Sequence, residues 1–156
     1  MNKKRKIGII SDTHGYLSPK IFTVFKDVDH IIHAGDIGKE EILVELRSLA
    51  PVTAVTGNVD GFNLARKLNS SESLEIAGHL LEITHIPVKP KKLSSQSGKS
   101  IIKIFGHIHH PEIRQNGNLV VINPGSASQP RKAPAPSVAV MYLEEGKRPD
   151  IEIVYL

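Results

Sequence analysis

The chain has 156 residues, no cysteine, and 20 Lys+Arg against 16 Asp+Glu, a formal net charge of +4. That length predicts one domain, taken as residues 1–156. The missing cysteine excludes disulfides, thiolate metal sites, iron–sulfur clusters and a thiol nucleophile, so any metal must rest on His, Asp, Glu, Asn or backbone oxygen. Aromatic content of 4% supplies few base-stacking platforms. No run approaches the ~18 apolar residues that read as a membrane span. The basic start MNKKRK precedes an apolar run only at 7–10, short of the about 7–15 residues of a secretory leader, so a cytoplasmic location is expected.

In chain order, the β-branched run at 6–10 predicts a buried strand ending at Ser11-Asp12. Ser18-Pro19 reads as an N-cap followed by proline at the first helical position, opening a helix through Phe22 and Phe25. Residues 29–33 predict a second strand that closes at Ala34-Gly35-Asp36. Ile42, Leu43, Leu46 and Leu49 recur at helical spacing, and residues 51–56 form a third strand ending at Gly57-Asn58. Strand–helix–strand–helix–strand builds a parallel sheet with right-handed crossovers, and ligands gather at the carboxyl ends of such strands. Beyond Asp60 the pattern turns strand-rich, with strands expected at 73–77, 79–84, 101–105, 112–115, 119–122, 137–143 and 151–155. Asn116-Gly117 is a hairpin turn signal. The polar stretch 88–100 is long for a connection and reads as a mobile or functional loop, and 127–137 with three prolines is another. No linker separates two cores, which gives one α/β domain with two sheets.

The residues able to do chemistry sit at strand ends. Asp12-Thr13-His14 follows the first strand, Asp36 the second, Asn58 the third, His85 the strand at 79–84, and Gly106-His107-Ile108-His109 the strand at 101–105. Five strand ends thus deliver seven metal-capable side chains. The i, i+2 spacing of Asp12/His14 and His107/His109 lets two side chains converge from one tight turn. Gly35, Gly57 and Gly106 each precede such a residue, where glycine permits close backbone approach. Seven ligands with one shared carboxylate make two four-ligand sets, and Asp36, with two oxygens, is the natural bridge. Two divalent cations about 3.5–4 Å apart clamp the attacking and leaving oxygens of a phosphoryl centre. They also remove the like-charge penalty of clustering Asp12 with Asp36. Imidazole, carboxylate and amide oxygen without thiolate suit Mn²⁺, Fe²⁺, Zn²⁺, Co²⁺ or Ni²⁺.

This ordered series resembles the calcineurin-like metallophosphoesterase superfamily. The short chain, Gly57-Asn58-Val59-Asp60 and the tail Asn123-Pro124-Gly125-Ser126 resemble its small YfcE-type phosphodiesterase branch, a relative of the retromer scaffold subunit. The resemblance implies a four-layer α/β/β/α sandwich of two mixed sheets, the metallophosphoesterase fold, with a dinuclear site at one edge. It implies that Asp12, His14, Asp36 and His109 hold one metal, and Asp36, Asn58, His85 and His107 the other. A bridging water or hydroxide then attacks phosphorus in line, and Asn58 also contacts the substrate phosphate. Mn²⁺ is the first expectation for both ions. Larger members place a His after the motif Asn to assist the leaving group; Val59 stands there, which implies a preference for phosphodiesters or aryl esters. The family's Gly-His after the metal His is Ile86-Pro87 here, which alters the pocket wall.

The reading is therefore a metal-dependent phosphodiesterase that hydrolyses a small phosphate ester, with Asp36 and Asn58 at the reaction and His110 as a residue reaching the leaving group. Neither nucleic acid nor membrane is an expected partner, and a homo-oligomer is left open. Two alternatives stand beside it: a non-catalytic interaction scaffold of the same fold, and a metallonuclease favoured by the basic balance. His30 and His79 are read as structural, Asp60 as a turn residue. His33 is read as a strand histidine with an outer role behind Asp36 as the alternative. Arg131 and Lys132 are read as solvated, with contact to an anionic substrate as the alternative.

Overall fold

Ten strands and three short helices order the described residues of a computed structural model, 3–87 and 100–156. Of the polar stretch 88–100 only Ser100 is among them, so the expected loop lies outside the described residues. The first half runs β1 (Arg5–Ile10), α1 (Lys20–Val24), β2 (His30–His33), α2 (Glu40–Arg47) and β3 (Val52–Ala54). The three strands pair in parallel, Ile9 beside Ile32 and Ile32 beside Thr53, as the βαβαβ reading requires. α1 starts one residue later than expected. Its first turn closes i→i+3, from Ile21 N–H to Ser18 O and Phe22 N–H to Pro19 O, so Pro19 takes the capping place with helical φ of −56°. β3 is shorter than 51–56. Val55 N–H still donates to His33 O, but Thr56 N–H turns away to Asn69 O.

α3 (Phe62–Lys67) was not foreseen, because only Leu64 of it is buried and no periodicity develops. The second half adds β4 (Ser71–Ile76), β5 (His79–Thr84), β6 (Ile101–Ile104), β7 (Pro111–Asn116), β8 (Leu119–Pro124), β9 (Ser137–Leu143) and β10 (Asp150–Tyr155). Asn116 pairs with Leu119, so the hairpin turn is Gly117-Asn118, one residue beyond the expected dipeptide, with Gly117 at φ +60°.

Two mixed five-stranded sheets result, in the orders β10-β9-β1-β2-β3 and β4-β5-β6-β8-β7. Strand alternation divides the apolar residues between two cores. Ile7, Ile9 and Ile32 of the first sheet meet Leu81, Ile83, Ile102, Ile104 and Ile122 of the second. Ile10 and Ile31 turn the other way, onto Ile21, Leu43, Leu46 and Leu64 of the helices and Phe25 just past α1. Each fully buried isoleucine contributes roughly 1.5–3 kcal/mol relative to exposure. The two sheets therefore form a rigid sandwich, and β1, β2, β3, β5 and β6 end along one edge of it. Among the described residues, all three helices put their buried side chains against the first sheet.

Candidate metal centre

The loops leaving β1 and β2 are stitched together first. Asp12 N–H donates to Gly35 O and His14 N–H to Asp36 O, each at 3.0 Å. The loop after β6 reaches across from the other sheet, and its His107 N–H donates to Asp12 Oδ2 at 3.0 Å. The Ser11 hydroxyl holds the same oxygen at 2.8 Å. The other oxygen, Oδ1, is buried and has no hydrogen-bond partner. It faces His109 Nε2 at 3.2 Å, His14 Nε2 at 3.8 Å and His85 Nε2 at 3.9 Å.

Asp36 repeats the arrangement. Its Oδ1 accepts from Val59 N–H at 3.0 Å, while Oδ2 faces His85 Nε2 at 3.2 Å and His14 Nε2 at 3.8 Å. His85 Nδ1 lies 2.8 Å from Ala34 O, and His109 Nδ1 2.6 Å from Gln129 O. A carbonyl only accepts, so both rings carry their proton on Nδ1 and turn a lone pair inward from Nε2. His85 Nε2 is buried without a hydrogen bond. Lone pairs of carboxylate and imidazole thus converge on one small volume, and such a donor set fits a cation. Ligand atoms of Asp12, His14, Asp36 and His109 all lie within 4.8 Å of one another.

The electrostatics agree. Burial pushes the Asp12 carboxyl above its usual range, against the opposing effects of Ser11, His85, His109 and the His107 amide. Protein groups alone leave this charge under-compensated, so a divalent cation fits the residues present.

Of the remaining candidates, His107 sets its ring edge-on to His85 with centroids 5.3 Å apart. Asn58 is exposed at the end of the β3 loop, beside the Val59 amide that holds Asp36. His110 is exposed and shares a recess with His107, Ile108, Arg131 and Lys132. His30 bonds Thr53 and His79 bonds Glu144 O, away from the cluster.

Close packing explains the glycines. A Cβ at Gly57 would strike the Asp36 carboxylate, and one at Gly106 would strike the Ser11 hydroxyl and come 2.8 Å from Asp12 Oδ2. The backbone bends as sharply: Asp12, His14, Asp36, His107 and His109 all have left-handed φ, between 47° and 73°. Side-chain-bearing residues rarely adopt this region, and such conformations cluster at functional sites.

Several residues around the cluster support it. Asp60 is more than a turn residue: its Oδ1 accepts from Ile37 and Gly38 N–H, and its Oδ2 from Gly57 N–H at 2.8 Å. It clamps the Asp36 loop to the Asn58 loop. Ser126 and Ser128 hydroxyls donate to Asp12 O at 2.7 and 2.9 Å, and Asn123 Nδ2 donates to Gly106 O. His33 is the buried strut between the first two loops. Its Nδ1 accepts from Gly35 N–H, so Nε2 donates to the Thr13 hydroxyl, which donates to Ile37 O. Burial first, then the neighbouring His85, pushes the His33 pKa down to about 3.

A sandwich whose strand ends gather aspartates and histidines in this order defines a class. The chain belongs to the calcineurin-like phosphoesterase superfamily, whose domain model matches residues 6–146. More particularly, it is 37% identical over 163 positions to a probable metallophosphoesterase of Methanothermobacter thermautotrophicus, covering 95% of this chain and 91% of the relative. A solved archaeal phosphodiesterase superposes with a TM-score of 0.69 at 26% identity, over 96% of this chain and 99% of that one. Vacuolar Protein Sorting 29 of Cryptosporidium parvum shares the fold, with a TM-score of 0.74 at 17% identity over 98% and 99% of the two chains.

Proposed function

We propose that the protein is a phosphodiesterase that uses two divalent cations, Mn²⁺ before Ni²⁺, Co²⁺, Zn²⁺ or Fe²⁺, to hydrolyse a small phosphate ester. The observation that carries this reading is the pair of buried, unpartnered ligand atoms, Asp12 Oδ1 and His85 Nε2, in a chain of the phosphoesterase superfamily. Asp12, His14, Asp36 and His109 would hold one ion, and Asp36, Asn58, His85 and His107 the other. Asp36 is suited to serve both, since its Oδ2 faces His14 of one set and His85 of the other.

When bound, such a pair would supply an activated water nucleophile and positive charge for the phosphoryl oxygens. The chain's own part is positional. Val59 N–H and Asp60 fix the Asp36 and Asn58 loops, and the Ala34 and Gln129 carbonyls fix the tautomers of His85 and His109. Asn58, exposed at the rim, would meet a phosphate oxygen, and His110 the departing group. Val59 is 54% exposed where larger members carry a proton-donating histidine. Phosphodiesters or aryl esters whose leaving group departs as a stable oxyanion are therefore favoured.

The test is hydrolysis of bis-p-nitrophenyl phosphate by Mn²⁺-loaded protein, with and without EDTA, and by Asp36→Asn. Chelator-sensitive turnover that Asp36→Asn loses is expected. No turnover of any phosphate ester by metal-loaded protein would favour the scaffold reading instead.

A further inference from the structure

A recess of about 460 Å³ lies against the cluster, lined by His107, Ile108, His110, Arg131 and Lys132. It is anchored to the centre at two points. His107 forms part of its wall while its amide holds Asp12 Oδ2. Arg131 N–H donates to the carbonyl of His109 at 2.9 Å. Lys132 follows in a left-handed turn at φ +53°. Ile108 contributes an apolar wall and is 51% exposed. Among the described residues, Arg131 and Lys132 have no ion-pair partner. An apolar wall and two unengaged cations thus stand beside the proposed phosphoryl centre.

We propose that this recess is a subsite for one ester substituent of the substrate, and that it selects a flat ring-bearing group carrying a second phosphate. The inference rests on the phosphodiesterase reading above and adds the substrate class. The ring lies on Ile108, and the distal phosphate meets the Arg131 guanidinium and the Lys132 ammonium, charge-assisted contacts that Asn or Gln cannot replace.

The probes are two p-nitrophenyl esters of thymidine 5′-phosphate, one with a free 3′-hydroxyl and one with a 3′-phosphate. With Mn²⁺-loaded protein, the 3′-phosphorylated ester is expected to show about tenfold higher kcat/KM, carried by KM. In the double variant Arg131→Gln/Lys132→Gln that ratio falls to near one, while the distant Lys147→Gln retains it. Calorimetry with thymidine 3′,5′-bisphosphate reads the same subsite without turnover: about tenfold weaker binding is expected in the double variant. Equal KM values for the two esters in the parent, or equal affinity of parent and variant for the bisphosphate, overturns the subsite even if hydrolysis is robust. Loss of all hydrolysis with the affinity difference intact overturns the catalytic reading and leaves the subsite standing. Unchanged circular dichroism and Tm of the double variant confirm that both comparisons are made on folded protein.

Discussion

Asp12 Oδ1 lies 3.2 Å from His109 Nε2, and the proton of that ring is held at its other nitrogen by the Gln129 carbonyl 2.6 Å away. Two lone pairs therefore face each other in a buried place. Adding Mn²⁺ is expected to raise Tm, and EDTA to lower it again. At a concentration of 100 Kd the stabilisation is about 2.7 kcal/mol, or roughly 5–10 °C for a chain of this size. Thermal scans of parent and Asp12→Asn check it. No metal-dependent shift in the parent would refute the centre.

His33 makes a pH prediction. Its pKa is about 3 in the folded chain against an ordinary 6.5. Between those values the unfolded chain binds a proton that the native one does not, so stability falls as pH drops through that window. The slope is about 1.4 kcal/mol per pH unit from this residue alone. Urea midpoints from pH 7 to pH 4 should decline less steeply in His33→Gln than in the parent. Parallel curves would mean that His33 is not the buried neutral strut described.

Asp60 accepts three backbone N–H groups from two loops that carry candidate ligands. Asp60→Ala is expected to cost about 2–3 kcal/mol, read as a lower urea midpoint. It should also lower kcat on bis-p-nitrophenyl phosphate, because Asp36 and Asn58 lose their common anchor.

Gly57→Ala is expected to fold yet lose about 100-fold in kcat. The new methyl group collides with the Asp36 carboxylate and backbone nitrogen, and a displacement near 1 Å at a reacting centre has effects of that size. Near-infrared absorption of the Co²⁺-substituted protein offers an independent reading. A spectrum and kcat unchanged from the parent would show that the loop yields freely.

Much of this was legible from residue order. The β-branched runs at 6–10 and 29–33 announced strands, and the aspartates and histidines just past strand ends announced where a ligand would gather. The ordered set mattered more than any one motif. What stayed hidden depends on distance in sequence. Nothing near Asp12 says that the amide of His107 will hold its second oxygen. Nothing near β1 says that β9 will pair with it, Ile7 beside Met141. Asp60 looked like an ordinary turn because its three donors come from positions brought close only by the fold. The expected loop at 88–100 lies outside the described residues apart from Ser100.

Five residues of the cluster bend the chain to the left while bearing side chains, a posture that costs of order 1 kcal/mol or more apiece. Glycine would sit there without protest, and a chain selected only to be durable would drift toward it. A descendant that gave up chemistry could become sturdier by shedding these very side chains. Strain of this kind, held at Asp12, His14, Asp36, His107 and His109 together, is what a chemically active cluster is expected to carry.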